Sequence, residues 1–152
     1  MIQAYIRIKM VVGIPRGDML RIRMSDISDA GITVKPHKTE NSTGIVRTFE
    51  WTPELRAAVD IAKAARPIDI APWLFCTKHG EATGWDSMWR RFVARLLKDT
   101  KITERFTEHD LRGKTGSDAE SLERAQQLLG HAGSKITAKT YRRKPQLVRP
   151  LR

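Results

Sequence analysis

Five side chains in the sequence have the types and order that chemistry at a phosphodiester would need. They are Lys38, His109, Arg112, His131 and Tyr141. A guanidinium binds two phosphate oxygens at once, and fixed cations stabilise the extra negative charge of the transition state. A phenol can act as nucleophile when a base or strong cations lie nearby, and a lysine can protonate the leaving oxygen. Because no carboxylate pair accompanies these groups, the set favours a reaction that needs no metal.

The spacing of these residues predicts the elements that carry them. His109 and Arg112 are three positions apart on an expected helix, so they share one face. His131 follows a glycine that we predict ends a helix, where its side chain can point into a cleft. Tyr141 comes ten residues later, and Lys38 is expected near the tip of a β-hairpin.

Each of these residues also has an ordinary structural interpretation when it is taken alone. His109 would be a surface or capped helix histidine, and Arg112 would be a salt-bridge partner. His131 would be a polar residue after a helix end, and Tyr141 a half-buried aromatic. Lys38 would be one of many solvated lysines. Their joint order in the sequence is what favours the catalytic interpretation.

The composition points to a polyanionic partner. The 152-residue chain has 28 Lys and Arg against 17 Asp and Glu, a formal net charge of +11. Nucleic acid is the first expectation and an anionic membrane surface the second, with a generally basic surface as the alternative. We predict that Arg142, Arg143 and Lys144 contact DNA phosphates, the alternative being a solvated run. Residues 144–152 form a basic C-terminal tail.

The single cysteine, Cys76, excludes a disulfide framework and a Cys-rich zinc site. It indicates a reducing compartment, so we expect a cytoplasmic protein. No stretch approaches the ~20 apolar residues that a membrane span needs. We therefore expect no metal, no cofactor and no membrane partner.

Hydrophobic periodicity and turn residues predict an α+β fold, mostly helical, in one domain. A small antiparallel sheet of about three strands is inserted after the second helix. The helices are expected at 1–12, from Pro15 to about Met24, from Pro53, from Trp85 to about Lys98, over His109 to about Thr115, at Ser117–Leu129 and at Ser134–Tyr141. Strands are expected at 32–34 and 45–51, with turns at 26–31 and 39–44.

Several motifs together resemble the catalytic domain of the tyrosine recombinase, or phage integrase, family. The chain reads T-E-H-D-L-R at 107–112, L-L-G-H at 128–131 and T-Y-R-R-K-P from 140. G-I-P-R-G-D-M-L-R-I-R-M-S-D-I, from 13, is similar to the segment that bears the family's first arginine. V-K-P-H-K-T, from 34, is similar to the hairpin that bears its lysine. These motifs occur in the family's order and cover about residues 1–145.

The resemblance implies a role for each residue. Tyr141 would attack the scissile phosphate, form a 3′-phosphotyrosine and free a 5′-hydroxyl. Arg112 and the first arginine would hold the nonbridging oxygens, and Lys38 would be the general acid for the 5′-oxygen. His109 would assist proton transfer from Tyr141, and His131 would hydrogen-bond the phosphate. The covalent link conserves the energy of the broken bond, so neither ATP nor a metal is needed.

The sequence departs from the family pattern at the first arginine. Pro15 stands at that place, and Arg16 follows one position later. One step on a helix is about 100° of rotation. Arg16 would therefore reach the phosphate only if the turn at Gly13–Gly17 were shifted by one residue. The spacing from His131 to Tyr141 is also one residue longer than the commonest form. We keep Arg16 as a candidate catalytic residue.

Family members normally carry an N-terminal core-DNA-binding domain, so residues 1–152 would be the catalytic domain without it. The resemblance implies site-specific recombination or integration on double-stranded DNA, by tetramers in a bacterial or phage context. The isolated domain is expected to be monomeric. The alternatives are a catalytically impaired DNA-binding remnant of a prophage integrase and a basic nucleic-acid-binding module unrelated to recombination.

Overall fold

The computed structural model of the protein describes residues 1–37 and 46–130. That part holds six α-helices, a 3₁₀ helix at Met24–Asp26 and a three-stranded antiparallel sheet. The helices are α1 (Ile2–Val12), α2 (Arg16–Leu20), α3 (Pro53–Ala64), α4 (Trp85–Asp99), α5 (Glu108–Asp118) and α6 (Leu122–Leu129). The strands are β1 (Ile27–Ser28), β2 (Gly31–Val34) and β3 (Arg47–Glu50). The expected α+β fold is confirmed, including the place of the sheet after the second helix.

Helix α1 is the central element of the core. It packs against α3 and α5 and buries Tyr5, Ile8 and Val12 along one face. The helix ends at Gly13, whose φ of 64° is a left-handed conformation that glycine adopts readily. A Cβ at this position would also lie 2.9 Å from Thr115 of α5, so the glycine permits the close approach of the two helices.

Helix α2 is shorter than the sequence predicted, because it ends before Met24. Beyond it, Arg23 forms an antiparallel bridge with Trp73 before the 3₁₀ helix begins at Met24. Ile22 O accepts a hydrogen bond from Leu74 N at 2.9 Å, and Met24 N donates to Pro72 O at 2.8 Å. The segment L-R-I-R-M also reads as alternation. That pattern prevails because pairing with residues 72–74 satisfies its backbone groups.

The predicted hairpin is confirmed for its two strands. In β2 and β3, Ile32 pairs with Phe49 and Val34 pairs with Arg47. The turn expected at 26–31 instead contains β1, which pairs with β2 through Ile27 opposite Ile32. The expected hairpin tip falls in residues 38–45, outside the described part of the chain.

Aromatic side chains of α4 pack into the interior. The rings of Trp85 and Tyr5 lie 4.2 Å apart between centroids, and Trp89 makes an edge contact with Tyr5 at 6.4 Å. Leu74 and Phe75, in the loop-rich segment between α3 and α4, are also buried. No helix of residues 1–37 and 46–130 is long and apolar enough to cross a membrane.

Helices α5 and α6 pack against each other, which brings Arg112 of the T-E-H-D-L-R motif next to Leu129. Thr107 caps α5, as predicted, but the next helix begins at Leu122 rather than Ser117. Ser121 accepts a hydrogen bond from Arg124 N and so begins α6. Gly130 ends it with φ 65°, as predicted. The helix expected at Ser134–Tyr141 lies outside the described residues.

Candidate active site

The first turn of α5 is fixed by a reciprocal cap. Thr107 Oγ1 accepts a hydrogen bond from Asp110 N at 3.2 Å, and Asp110 Oδ2 accepts one from Thr107 N at 3.0 Å. His109 lies in this turn and is exposed, whereas Arg112 lies one turn later and is buried. The cap therefore sets where the two residues of the T-E-H-D-L-R motif emerge.

The guanidinium of Arg112 joins two helix ends. Its Nη1 donates to Gly13 O at the end of α1, and its Nη2 donates to Leu129 O at the end of α6, at 2.7 Å. The residue is only 7% exposed. Because both acceptors are backbone carbonyls, the orientation of this cation is set by the fold and not by a mobile side chain.

A second guanidinium, that of Arg47, reaches the same helix end. Its Nη1 donates to Leu128 O at 2.9 Å and to Gln127 O at 3.2 Å. Burial lowers the pKa of Arg47, the nearby Arg112 guanidinium lowers it further, and Asp18 opposes the shift. Two cations thus converge on the last carbonyls of α6, just before His131 in the chain.

Sequence reasoning missed Arg47, although a signal was present. Side chains two positions apart along a strand lie on the same face, and Phe49 and Trp51 share one face of the second predicted strand. Arg47 stands two positions before Phe49 and therefore occupies the same face. Its partner Val34 is buried, which confirms that this face points to the interior.

Arg16 is directed to a different set of partners. Its Nη1 lies 2.5 Å from Asp86 Oδ1, and its Nε lies 3.7 Å from Glu108 Oε1. The hydrogen bond with Asp86 is the main cause of the raised pKa of Arg16. Helix α2 begins at Arg16, with Pro15 as its N-cap. The sequence predicted Pro15 as the first residue of this helix.

Glu108 is the centre of a cluster that the sequence did not predict. Its carboxylate accepts hydrogen bonds from the Tyr5 hydroxyl and from Trp85 Nε1, the latter at 3.2 Å. Lys9 Nζ lies 3.7 Å from Glu108 Oε2, and Lys9 is 1% exposed. Burial lowers the pKa of Lys9 to about 8. We call Tyr5, Lys9, Arg16, Trp85 and Glu108 the Glu108 cluster.

The pKa of Tyr5 is raised well above its usual range. Burial is the main cause, followed by the hydrogen bond to Glu108 and the charge of that carboxylate. The Tyr5 phenol therefore stays protonated and does not reach solvent.

The base of the hairpin is held above α2. Asp18 Oδ1 accepts a hydrogen bond from His37 N at 2.9 Å, and Arg21 Nη1 lies 2.7 Å from His37 Nδ1. His37 is exposed. This anchor fixes the point at which the chain enters the segment that bears Lys38.

The remaining predicted residues lie outside the described part of the chain. They are Lys38, His131, Tyr141, Arg142, Arg143 and Lys144. Of the predicted catalytic set, the structure therefore places His109 and Arg112 on one helix and Arg16 in the Glu108 cluster. Within residues 1–37 and 46–130, no three His, Cys, Asp or Glu side chains are grouped to hold a metal ion.

Comparison with known families identifies the chain. A sequence model of the phage integrase family matches residues 2–146. The chain belongs to the phage integrase family. The match includes every residue of the predicted catalytic set and the motifs that suggested the resemblance. No curated protein sequence matches the chain.

Solved structures share this integrase fold. The structure of XerA recombinase is similar with a TM-score of 0.71 at 20% identity, over 95% of this chain and 53% of that one. A lambda integrase dimer bound to a COC′ core site is similar with a TM-score of 0.70 at 21% identity, over 97% of this chain and 55% of that one. The Tn1549 transposon integrase in complex with circular intermediate DNA has a TM-score of 0.71 at 18% identity, over 91% of this chain and 54% of that one. The chain thus spans about half the length of these relatives.

Proposed function

We propose that the protein is a tyrosine recombinase that breaks and rejoins DNA in site-specific recombination. The observation that carries the proposal is the buried Arg112 guanidinium, fixed by carbonyls at the ends of α1 and α6 in a chain of the integrase family. A cation held in this way needs no reorganisation when negative charge develops on a phosphate.

The proposed reaction uses the residues of the family motifs. The Tyr141 oxygen attacks the scissile phosphorus, the bond from phosphorus to the 5′-oxygen breaks, and a 3′-phosphotyrosine forms. Lys38 donates the proton that the 5′-oxygen takes up, and His109 assists removal of the phenol proton. Arg112 binds the nonbridging oxygens, and His131 hydrogen-bonds the phosphate. Attack by a 5′-hydroxyl on the phosphotyrosine reverses these steps and rejoins DNA.

The state of the other tyrosine supports Tyr141 as the nucleophile. Tyr5 is fully buried, its hydroxyl donates to Glu108, and its pKa is raised. An attacking phenol has to reach a phosphate in solution and lose its proton. Tyr5 meets neither condition.

Double-stranded DNA is the proposed partner, and the net charge of +11 supports it. Solved relatives include a lambda integrase dimer on a core site and a lambda integrase tetramer on a Holliday junction. We propose that this chain likewise self-associates on DNA, with Arg142, Arg143, Lys144 and the tail at 144–152 contacting phosphates. Binding by the chain alone is expected to be weak and sequence-tolerant, with a log-log salt slope of about −0.9 per phosphate contact.

A catalytically impaired remnant is the second candidate, because Pro15 stands at the first-arginine position and Arg16 is paired with Asp86. Comparing Pro15→Arg with Arg16→Ala separates the possibilities. A large gain of cleavage from the first and no loss from the second would show a site broken at Pro15. A large loss from Arg16→Ala would show that Arg16 has the family role.

Formation of a covalent adduct tests the proposed function. The chain is incubated with a pool of nicked duplexes whose sequence around the nick is randomised, so that cleavage releases a short strand and traps the adduct. We expect a protease-resistant adduct that Tyr141→Phe abolishes and the matched Tyr5→Phe retains. An adduct that survives Tyr141→Phe, or one that maps to Tyr5, would contradict the proposal.

A further inference from the structure

Arg47 occupies an unusual place for a charged residue. It lies on the core-facing side of β3, opposite the buried Val34, at the end of the strand that leads from the hairpin. Its guanidinium lies so close to the Gly130 backbone that a Cβ there would be 2.5 Å from Arg47 Cζ. Strand β3 thus places the Arg47 guanidinium at the end of α6, beside Gly130.

The hydrogen bonds of Arg47 leave much of its guanidinium unused. A guanidinium has five N–H donors, and in the described residues only Nη1 donates, to the carbonyls of Gln127 and Leu128. The guanidinium also lies against the Phe49 ring and the Gly130 backbone, and among residues 1–37 and 46–130 no carboxylate forms an ion pair with it. Asp18, the acidic group that acts on it through space, accepts a hydrogen bond from His37 N.

Bringing Arg47 close to Arg112 places two like charges together in a partly buried region. Each cation raises the electrostatic cost of the other, and burial weakens the screening by water. An anion with two oxygens would remove this repulsion by binding both guanidiniums. The nonbridging oxygens of a phosphodiester have that geometry and charge.

At the start of α2, neither Pro15 nor Arg16 supplies an equivalent cation. Pro15 has no charged group, and the Arg16 guanidinium is directed to Asp86 and Glu108. Asp18, on the same helix, is near enough to Arg47 to oppose the lowering of its pKa.

We propose that Arg47 is the second phosphate-binding arginine of this enzyme, acting with Arg112 in place of the arginine that Pro15 has displaced. The ligand is a DNA phosphodiester, and the inference rests on the proposed function. The competing interpretation is that Arg47 only caps α6. A cap would affect stability and leave phosphate binding by the folded protein unchanged.

Side-chain NMR of the whole chain tests the proposal without needing the DNA target. Inorganic phosphate is titrated at constant ionic strength while the Nε–Hε signals of Arg16, Arg47 and Arg112 are followed. We expect the Arg47 and Arg112 signals to shift with one common dissociation constant and the Arg16 signal to stay still. An Arg47 signal that does not move with that of Arg112, or an Arg16 signal that does, would overturn the assignment.

Variants separate binding from helix capping. Arg47→Ala should weaken phosphate binding at Arg112 about tenfold, because charge-assisted hydrogen bonds are lost. Arg47→Lys keeps the charge and a donor for the α6 carbonyls, and should lose the paired contact while remaining folded. Arg124→Ala, which removes one exposed charge from the same helix, is the matched control and should leave the affinity within about twofold. Unchanged phosphate affinity in folded Arg47→Lys and Arg47→Ala would overturn the proposal.

The adduct assay keeps this inference distinct from the proposed function. Absence of an adduct in the wild-type chain, with joint phosphate binding intact, would contradict the recombinase function and leave the anion site standing. Wild-type adduct formation by Arg47→Lys and Arg47→Ala would contradict the role of Arg47 and leave the recombinase function standing.

Discussion

The two charged regions next to α5 differ in how their charges are balanced. In the Glu108 cluster, one carboxylate receives donors from Tyr5 and Trp85 and lies within 3.7 Å of both Lys9 and Arg16. At the end of α6, Arg47 and Arg112 bind backbone carbonyls that carry only partial charge. The cluster is complete without a ligand, whereas the arginine pair is suited to receive an anion.

This difference indicates how one helix serves structure and chemistry at once. The cluster fixes the N-terminal end of α5 against α1 and α4, because buried opposite charges hold each other in place. One turn further, Arg112 is oriented by the carbonyls of Gly13 and Leu129. The Glu108 cluster therefore positions the helix that carries Arg112, and changes to the two regions should have different consequences.

The largest effect is expected from breaking the arginine pair at Arg112. Arg112→Lys keeps a charge but cannot donate to both carbonyls and a phosphate. Adduct formation on nicked DNA should fall on the order of 10²–10³-fold, as for loss of one preorganised donor. Lys114→Arg, an exchange of cations at an exposed position of α5, is the matched control and should keep the wild-type rate. A wild-type rate in Arg112→Lys would refute the role assigned to this guanidinium.

Removing the central charge of the Glu108 cluster should chiefly affect stability. Glu108→Gln leaves the buried Lys9 without its anionic partner, which costs about 3 kcal/mol of unfolding free energy. Chemical denaturation measures this loss, and the exposed Glu120→Gln should leave the unfolding curve unchanged. If Glu108→Gln is as stable as the wild type, the cluster does not hold the helices together.

How much of this could be read from the sequence depends on the range of the interactions. Caps are local, so Thr107 and Gly130 indicated the start of α5 and the end of α6, and the 109–112 spacing placed Arg112 on α5. The Glu108 cluster needs Tyr5 and Lys9, which are about a hundred positions away in the chain. No periodicity carries such information.

The wrong end predicted for α2 and the missed contact of Arg47 have a similar cause. The residues after Leu20 fit either a helix or a strand, and only their pairing with the segment before Leu74 decides between them. Alternation relates Arg47 to the same face of β3 as Phe49. Its contact with the end of α6, however, depends on how the sheet packs.

The pH dependence of the unfolding free energy should further distinguish the Glu108 cluster from the arginine pair. The pKa of Lys9 falls from 10.5 to about 8 on folding, so the unfolded chain binds more protons between these values. Unfolding free energy should therefore rise with pH across that window, by about 2 kcal/mol between pH 8 and pH 10. Above about pH 10 the raised pKa of Tyr5 acts in the opposite direction, because the unfolded phenol loses its proton first.

Denaturation curves at pH 7, 8, 9 and 10 measure the effect of Lys9. Lys9→Met removes the titrating group and should flatten the rise, while Lys63→Met on α3 should keep it. A rise of equal size in Lys9→Met would assign the pH dependence to another group.

The smallest effect is expected at Arg16. The side chain is 40% exposed and its partner Asp86 is 70% exposed, so water screens this ion pair. Arg16→Ala should lower the unfolding free energy by about 1 kcal/mol or less. Asp86→Asn removes the same pair from the other side and should have a similar effect. A loss of several kcal/mol would place Arg16 among the groups that hold the cluster together.

The most direct test of the central claim is the position of a bound oxyanion. Crystals of the chain soaked in tungstate, a tetrahedral phosphate analogue with a strong anomalous signal, would locate it without any knowledge of the DNA sequence. The account predicts an anomalous peak between the guanidiniums of Arg47 and Arg112, within hydrogen-bond distance of both. Tungstate bound at Arg16 with no peak at Arg47 would contradict it.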